Sequence, residues 1–192
     1  SGISSISGKL KTLAATVAIP VTIVATAVVG GAVMEGAALE QSIGGVETLF
    51  KENASVVKAN ADAAFKTAGL SANEYMSQVT SFSASLLSSL GGDTAKAAEV
   101  ADMAMIDMAD NANKFGTDME SIQNAYQGFA KQNYTMLDNL KLGYGGTQEE
   151  MQRLLQEASK ISGVKYDIGN LSDVYSAIHV IQNELGVTGT TA

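Results

Sequence analysis

Apolar positions are distributed along this chain in two different ways. Residues Leu13 to Met34, LAATVAIPVTIVATAVVGGAVM, contain no charged residue, with Lys9 and Lys11 before them and Glu35 after. A spanning helix needs roughly 20 mostly apolar residues, so this run is long enough to cross a bilayer. From Gly45 onward, apolar residues recur instead at spacings of three and four, the mark of helices that bury one face. Phe50, Val57, Ala61, Ala64 and Ala68 predict one helix ending at Gly69. Ser71-Ala72-Asn73-Glu74 reads as a capping box, in which hydroxyl and carboxylate satisfy backbone N–H groups reciprocally. The helix it opens carries Tyr75, Val79, Phe82, Leu86 and Leu90 and stops at Gly91-Gly92.

Asp93 or Thr94 caps the next helix, where Ala98, Ala101, Met105, Met108, Ala112 and Phe115 form a 3.5-residue seam. Thr117 to Glu120 predicts a second capping box, ahead of a stripe of Met119, Ile122, Tyr126 and Phe129. A glycine-rich stretch, Gly143 to Gly146, leads into a third box, Thr147 to Glu150. Met151, Leu154, Leu155, Ala158 and Ile161 then line a helix that closes near Gly163. The last helix starts near Asn170 and carries Leu171, Val174, Ile178, Ile181 and Leu185. No alternating run is long enough for a sheet. The expected fold is all-α. An apolar N-terminal helix within 1–44 precedes a glycine-punctuated multi-helix domain over 45–186, and 187–192 reads as a truncated linker.

The apolar run is too long for the apolar region of a signal peptide, and no cleavage break follows it. Its Ala/Thr/Val composition gives a weak insertion drive, and Pro20 removes a backbone hydrogen bond in mid-run. Gly30, Gly31 and Gly36 suit close helix contact. Two readings stay open: a conditional membrane inserter, or a helix packed against partners. Leu13, Val17, Pro20, Ile23, Val28, Gly30, Gly31 and Met34 carry either one.

Charge and chemistry narrow the function. The net charge is -8 and Arg153 is the sole arginine, so no basic face exists for specific nucleic-acid binding. Cysteine is absent, which removes disulfides and thiol chemistry. The Gly143–Thr147 stretch lacks the Gly-Lys-Ser/Thr ending of a phosphate-binding loop and follows no predicted strand. Glu99, Asp102, Asp107 and Asp110 share one helix and read as a solvated acidic face rather than a metal site. His179, the single histidine, lies between apolar neighbours and reads as a residue at the edge of a core. No serine or threonine has a partner pattern for nucleophilic catalysis. Met103, Met105, Met108 and Met119 read as adaptable packing. The chain is expected to be no enzyme, with no catalytic, cofactor or metal residues.

One stretch adds a resemblance. Lys131 to Leu155, KQNYTMLDNLKLGYGGTQEEMQRLL, resembles a segment of tape measure proteins of long-tailed bacteriophages and related prophages. FKTAGLSANEY from Phe65, LGGD from Leu90 and MIDMADN from Met105 look like the same family's helical domain, so the resemblance covers about 39–192. Its most specific part comprises Asn139, Leu140, Gly143, Tyr144, Gly145 and Gly146. The resemblance implies a mostly helical virion protein stretched in the lumen of the tail tube, whose length sets tail length. It is released at infection to help DNA across the host membrane. Implied partners are the tail tube protein, tail-tip (distal tail and hub) proteins, other copies in a helical bundle, and the host membrane. Implied locations are the tube near a tail end, the host envelope after ejection and the host cytoplasm during assembly. No catalytic centre carries over. As one helix, 192 residues span about 290 Å at about 1.5 Å per residue, so a segment of a longer ruler is expected.

The competing class is a membrane-active helical pore former unrelated to tail length. It has no need of the Tyr134 to Leu155 stretch. A peptidoglycan hydrolase, sometimes fused to tape measures, would need a catalytic constellation that the chain lacks.

Overall fold

The structure, a computed structural model, describes residues 30–189, with side chains from residue 39 onward. Leu13, Val17, Pro20, Ile23 and Val28 lie outside the described residues, while Gly30, Gly31 and Met34 fall in the backbone of the first described helix. Helices are the only regular elements among the described residues, with no strand among them. The helices are α1 (Gly30–Phe50), α2 (Ala54–Ala68), α3 (Ala72–Ser89), α4 (Thr94–Phe115), α5 (Met119–Ala130), α6 (Gln148–Ser162) and α7 (Leu171–Glu184). Short 3-10 turns occupy Lys51–Asn53 and Leu137–Leu140. The chain divides into two units between Ile43 and Gly44. No helix among the described residues is long and apolar enough to cross a membrane.

In the second unit α4 is the centre, packing against α2, α3, α5 and α7. Its buried set runs Ala97, Ala98, Val100, Ala101, Ala104, Met105, Asp107, Met108, Ala109, Asp110 and Asn111, wider than the predicted seam. A helix flanked on several sides must bury more than one stripe. The seam itself frays at its C-terminal end, where Phe115 is exposed. Around α4 the aromatic core is assembled from three helices. Phe82 meets the Tyr175 ring edge-on at 5.4 Å, and Tyr175 lies 5.1 Å from Tyr126. Such pairs add about 0.5–1.5 kcal/mol each beyond the area they bury.

Local signals place most helix ends. Ser71 forms the predicted box with Glu74, and Asp93 caps α4 by accepting from Lys96 N. Gly69, Gly116 and Gly163 close α2, α4 and α6 in the left-handed conformation that glycine enters without Cβ strain.

Three local expectations are corrected. The helix predicted through to Gly69 is broken at Lys51–Asn53, where Lys51 has φ 53°. Val46, Phe50, Ala54, Val57, Ala61, Ala64 and Ala68 are all buried, so the spacing of three and four runs straight across the break and conceals it. The bend sets Asn53 Nδ2 2.7 Å from Thr94 Oγ1. The second box is a single cap: Asp118, not Thr117, receives the Ser121 N–H. The Thr117 N–H is spent on Ala112 O in closing α4, which moves the α5 cap one residue on. At the third box Thr147 accepts from Glu150 N, but the Glu150 carboxylate reaches back to Gly145 N instead of to the cap.

Candidate functional site

Two constellations gather the residues to which the sequence draws attention. The first is the glycine-rich loop before α6. The Leu137–Leu140 turn buries Leu137 and Leu140 and leaves Asn139 half-buried. The chain then passes Lys141 (φ 55°) and Gly143 (φ 96°). Gly146 is required by close approach, because a Cβ there would stand 2.2 Å from the Thr135 carbonyl oxygen. Arg153 organises the rest. Its Nε and Nη2 donate to the two oxygens of Glu150, each at 2.9 Å, in the bidentate arrangement that suits a guanidinium. Nη1 donates to Glu157 at 3.2 Å and Nη2 also to Gly143 O at 2.8 Å. The guanidinium lies 4.3 Å over the Tyr144 ring, whose hydroxyl donates to Glu157.

The electrostatics follow from those contacts. Hydrogen bonds from Arg153, then from Gly145 N, hold the Glu150 carboxyl down at about 2. Burial, then the Glu157 carboxylate, pushes the Tyr144 phenol up. The loop cannot cradle a phosphate: its Gly145 N–H is taken by a carboxylate, and Glu150 and Glu157 repel an anion from the single guanidinium. The family-like residues therefore form a tied structural loop in which Tyr144, Arg153, Glu150 and Glu157 satisfy one another.

The second constellation is a polar ladder between α4 and α7. His179 Nδ1 contacts both oxygens of Asp107, at 3.0 and 2.9 Å. Gln182 Nε2 donates to Asp107 O at 3.1 Å, and Asn111 Nδ2 donates to Gln182 Oε1 and to Leu140 O, both at 2.8 Å. Past α7, Val187 is buried and Gly189 N donates to Asp110 Oδ2 at 2.8 Å. The acidic face expected to be solvated is thus split. Glu99 is exposed and Asp102 accepts from Tyr75 OH at 2.6 Å, but Asp107 and Asp110 are each only 1% exposed. Their burial is the consequence of the central place of α4.

His179 does sit at the edge of the core, half-exposed above a buried carboxylate. The Asp107 hydrogen bond raises its pKa against the opposing effect of burial. Desolvation raises the Asp107 carboxyl, which His179 partly offsets. The bond from the half-exposed His179 to the buried Asp107 cross-links α7 to α4. Among the described residues no group of three or more His, Cys, Asp or Glu is placed to hold a metal. Sequence reading missed this ladder because its partners stand about 70 residues apart. The available signal was polar residues in phase with apolar ones, Asp107 and Asn111 on α4, His179 and Gln182 on α7.

A groove of about 550 Å³ opens beside Ser85, Ser88, Lys131 and Gln132, without an acid–base pair in its lining. A smaller cleft of about 220 Å³ lies between the tied loop and the C-terminal turns of α6 and α7. Comparison with known families, curated proteins and solved structures finds no match to this chain.

Proposed function

We propose that the chain is a segment of a phage tail tape measure protein, stored in the tail tube and released at infection ahead of the DNA. The observation that carries this reading is the resemblance of Lys131 to Leu155, centred on Asn139 to Gly146. Its chemistry agrees. A body of net charge -8 with one arginine does not cling to passing DNA and slides past a negative tube lining. The capped helices from α2 to α7 make a module suited to a tail end, docking tail-tip proteins. The uncharged Leu13–Met34 run supplies the part that meets other copies or the host membrane.

The test is tail length by electron microscopy in phage carrying in-frame deletions in the helical region flanking this segment. Tails should shorten by about 1.5 Å per residue removed. Tails of unchanged length would sink the ruler reading. Tight binding of this chain to duplex DNA at physiological salt counts against the sliding argument.

The same uncharged run favours a second reading, a membrane-active pore former. The two separate on liposomes. A pore former releases an entrapped dye unaided, whereas a tape measure segment does not without a trigger.

A further inference from the structure

The cleft between the tied loop and the ends of α6 and α7 has the features of a docking site for a basic, amphipathic partner helix. Leu142, Tyr144 and Ile181 form its nearly buried floor. Ile161, 47% exposed, and Leu185, 52% exposed, wall it. These two depart from the pattern around them: Ile161 is the last apolar position of α6 and Leu185 caps the C-terminus of α7, while the stripe residues before each are buried. At about 220 Å³ the space accepts one or two apolar side chains, not a whole folded surface.

The rim decides which partner. Glu157 and Glu184 line the cleft, and Arg153, the cation in that lining, is shared between Glu150 and Glu157. Two carboxylates therefore hold the guanidinium, and Glu184 stands in the lining with no cation paired to it among the ion pairs of the described residues. The C-terminal turns of α6 and α7 both end here, and outward carbonyls give a helix C-terminus about half a negative charge. The last turn of α7 holds no basic residue to offset it, and Lys160 of α6 does not line the cleft. A second copy would set one acidic rim against another, so self-association is opposed by the charges that favour a cationic partner.

We infer that this cleft receives a leucine-type side chain from a partner helix whose flanking lysine or arginine meets Glu184 beside the α6 and α7 C-termini. The partner follows from the cleft alone, whatever the role of the chain in a tail. Helix-in-groove recognition of this kind places apolar anchors at i, i+3 or i+4, with charges on the rim setting orientation and on-rate.

The probe is a labelled 18-residue helical peptide of leucine and lysine in amphipathic order, titrated against the whole chain by fluorescence anisotropy. A control peptide carries glutamate in place of each lysine. The lysine peptide should bind, and raising salt should weaken it. The Ile161→Ser/Leu185→Ser variant changes exposed positions, so its circular dichroism should match that of the unmodified chain. Its dissociation constant should rise about tenfold or more, a loss near 1.4 kcal/mol. Glu184→Lys should weaken binding severalfold and flatten the salt dependence. Equal binding by variant and unmodified chain, or by the glutamate peptide, overturns the proposal. So does sedimentation showing a dimer that the Ile161→Ser/Leu185→Ser variant abolishes, since the patch would then belong to a second copy.

Discussion

Two stretches of α4 both bury side chains, and they do so by opposite means. From Ala97 to Met105 the buried side chains are Ala97, Ala98, Val100, Ala101, Ala104 and Met105, all apolar and mostly small. From Asp107 to Asn111 the buried set includes two carboxylates and an amide. Small residues let helices approach closely and tolerate many near-equivalent neighbours. A buried polar group tolerates only the partner that completes its hydrogen bonds, so the second stretch fixes which part of α7 and of the Leu140 turn lies against α4. The first stretch supplies packing, and the second supplies register.

The sharpest way to break that contrast is Asn111→Ala. It leaves Leu140 O and Gln182 Oε1 without their donor at a site with no exposure. Each stranded acceptor costs about 1–3 kcal/mol, so a loss of about 2–6 kcal/mol is expected by denaturant unfolding, offset in part by removal of the unpartnered buried Asn111 Oδ1. Asn111→Leu combined with Gln182→Leu removes both members of the side-chain pair and should recover the share due to Gln182 Oε1, with Leu140 O still stranded. If Asn111→Ala costs under 1 kcal/mol, the ladder is incidental to stability.

The apolar stretch should respond to size rather than to polarity. Ala104 is fully buried, and Ala104→Val inserts two methyl groups where neighbouring helices pack. Overpacking of this kind costs about 1–3 kcal/mol, and Ala104→Gly about 1 kcal/mol through helix propensity. A tolerated valine would mean that α4 has room on that side and that close approach is not its purpose.

What could be read from sequence follows the same division. The Ser71 box, an α4 cap at Asp93 or Thr94 and the glycine stops rest on neighbours three or four residues away and were legible, and the structure places that cap at Asp93. Apolar stripes were legible too, since burial repeats with the helix. The break at Lys51 was not, because the apolar spacing continues through it and only packing against α4 reveals the bend. Nor was the tied loop: its glycines were visible, but that Glu150 would abandon its cap for Gly145 and Arg153 depends on a fold-back of the chain. The Asp107–His179 pair joins residues 72 apart, beyond any local pattern.

A smaller effect separates the two stretches by pH. The His179 pKa is raised above its ordinary 6.5 in the folded chain, with Asp107 the first cause and Asp110 contributing. Its stabilising contribution is complete below about 6.5 and is lost as pH rises through the higher folded value. The Asp107 carboxyl, also raised, acts in the acidic range: its contribution is complete below about 3.8 and fades above. The denaturation midpoint should therefore be higher at pH 6 than at pH 8.5, and His179→Gln should flatten that difference. A pH-independent midpoint in the unmodified chain would show that the pair titrates alike folded and unfolded.

The smallest effect is the most direct test of burial against position. Glu99 and Asp110 are both acids on α4, and by spacing alone both belong to one solvated face. Glu99 has a side chain 72% exposed, and its ion pair with Lys96, at 3.3 Å, is a surface pair on a single helix. Such pairs contribute about 0.3–0.5 kcal/mol, so Glu99→Gln should move stability by no more than about 0.5 kcal/mol, less still in high salt. Asp110→Asn keeps the shape but removes charge from a buried acceptor bonded to Gly189 N, and should cost more than Glu99→Gln at every salt concentration. If the two substitutions cost the same and both fade with salt, Asp110 behaves as a surface charge. The second stretch of α4 then differs from the first in composition alone, and register must come from the aromatic core of Phe82, Tyr126 and Tyr175.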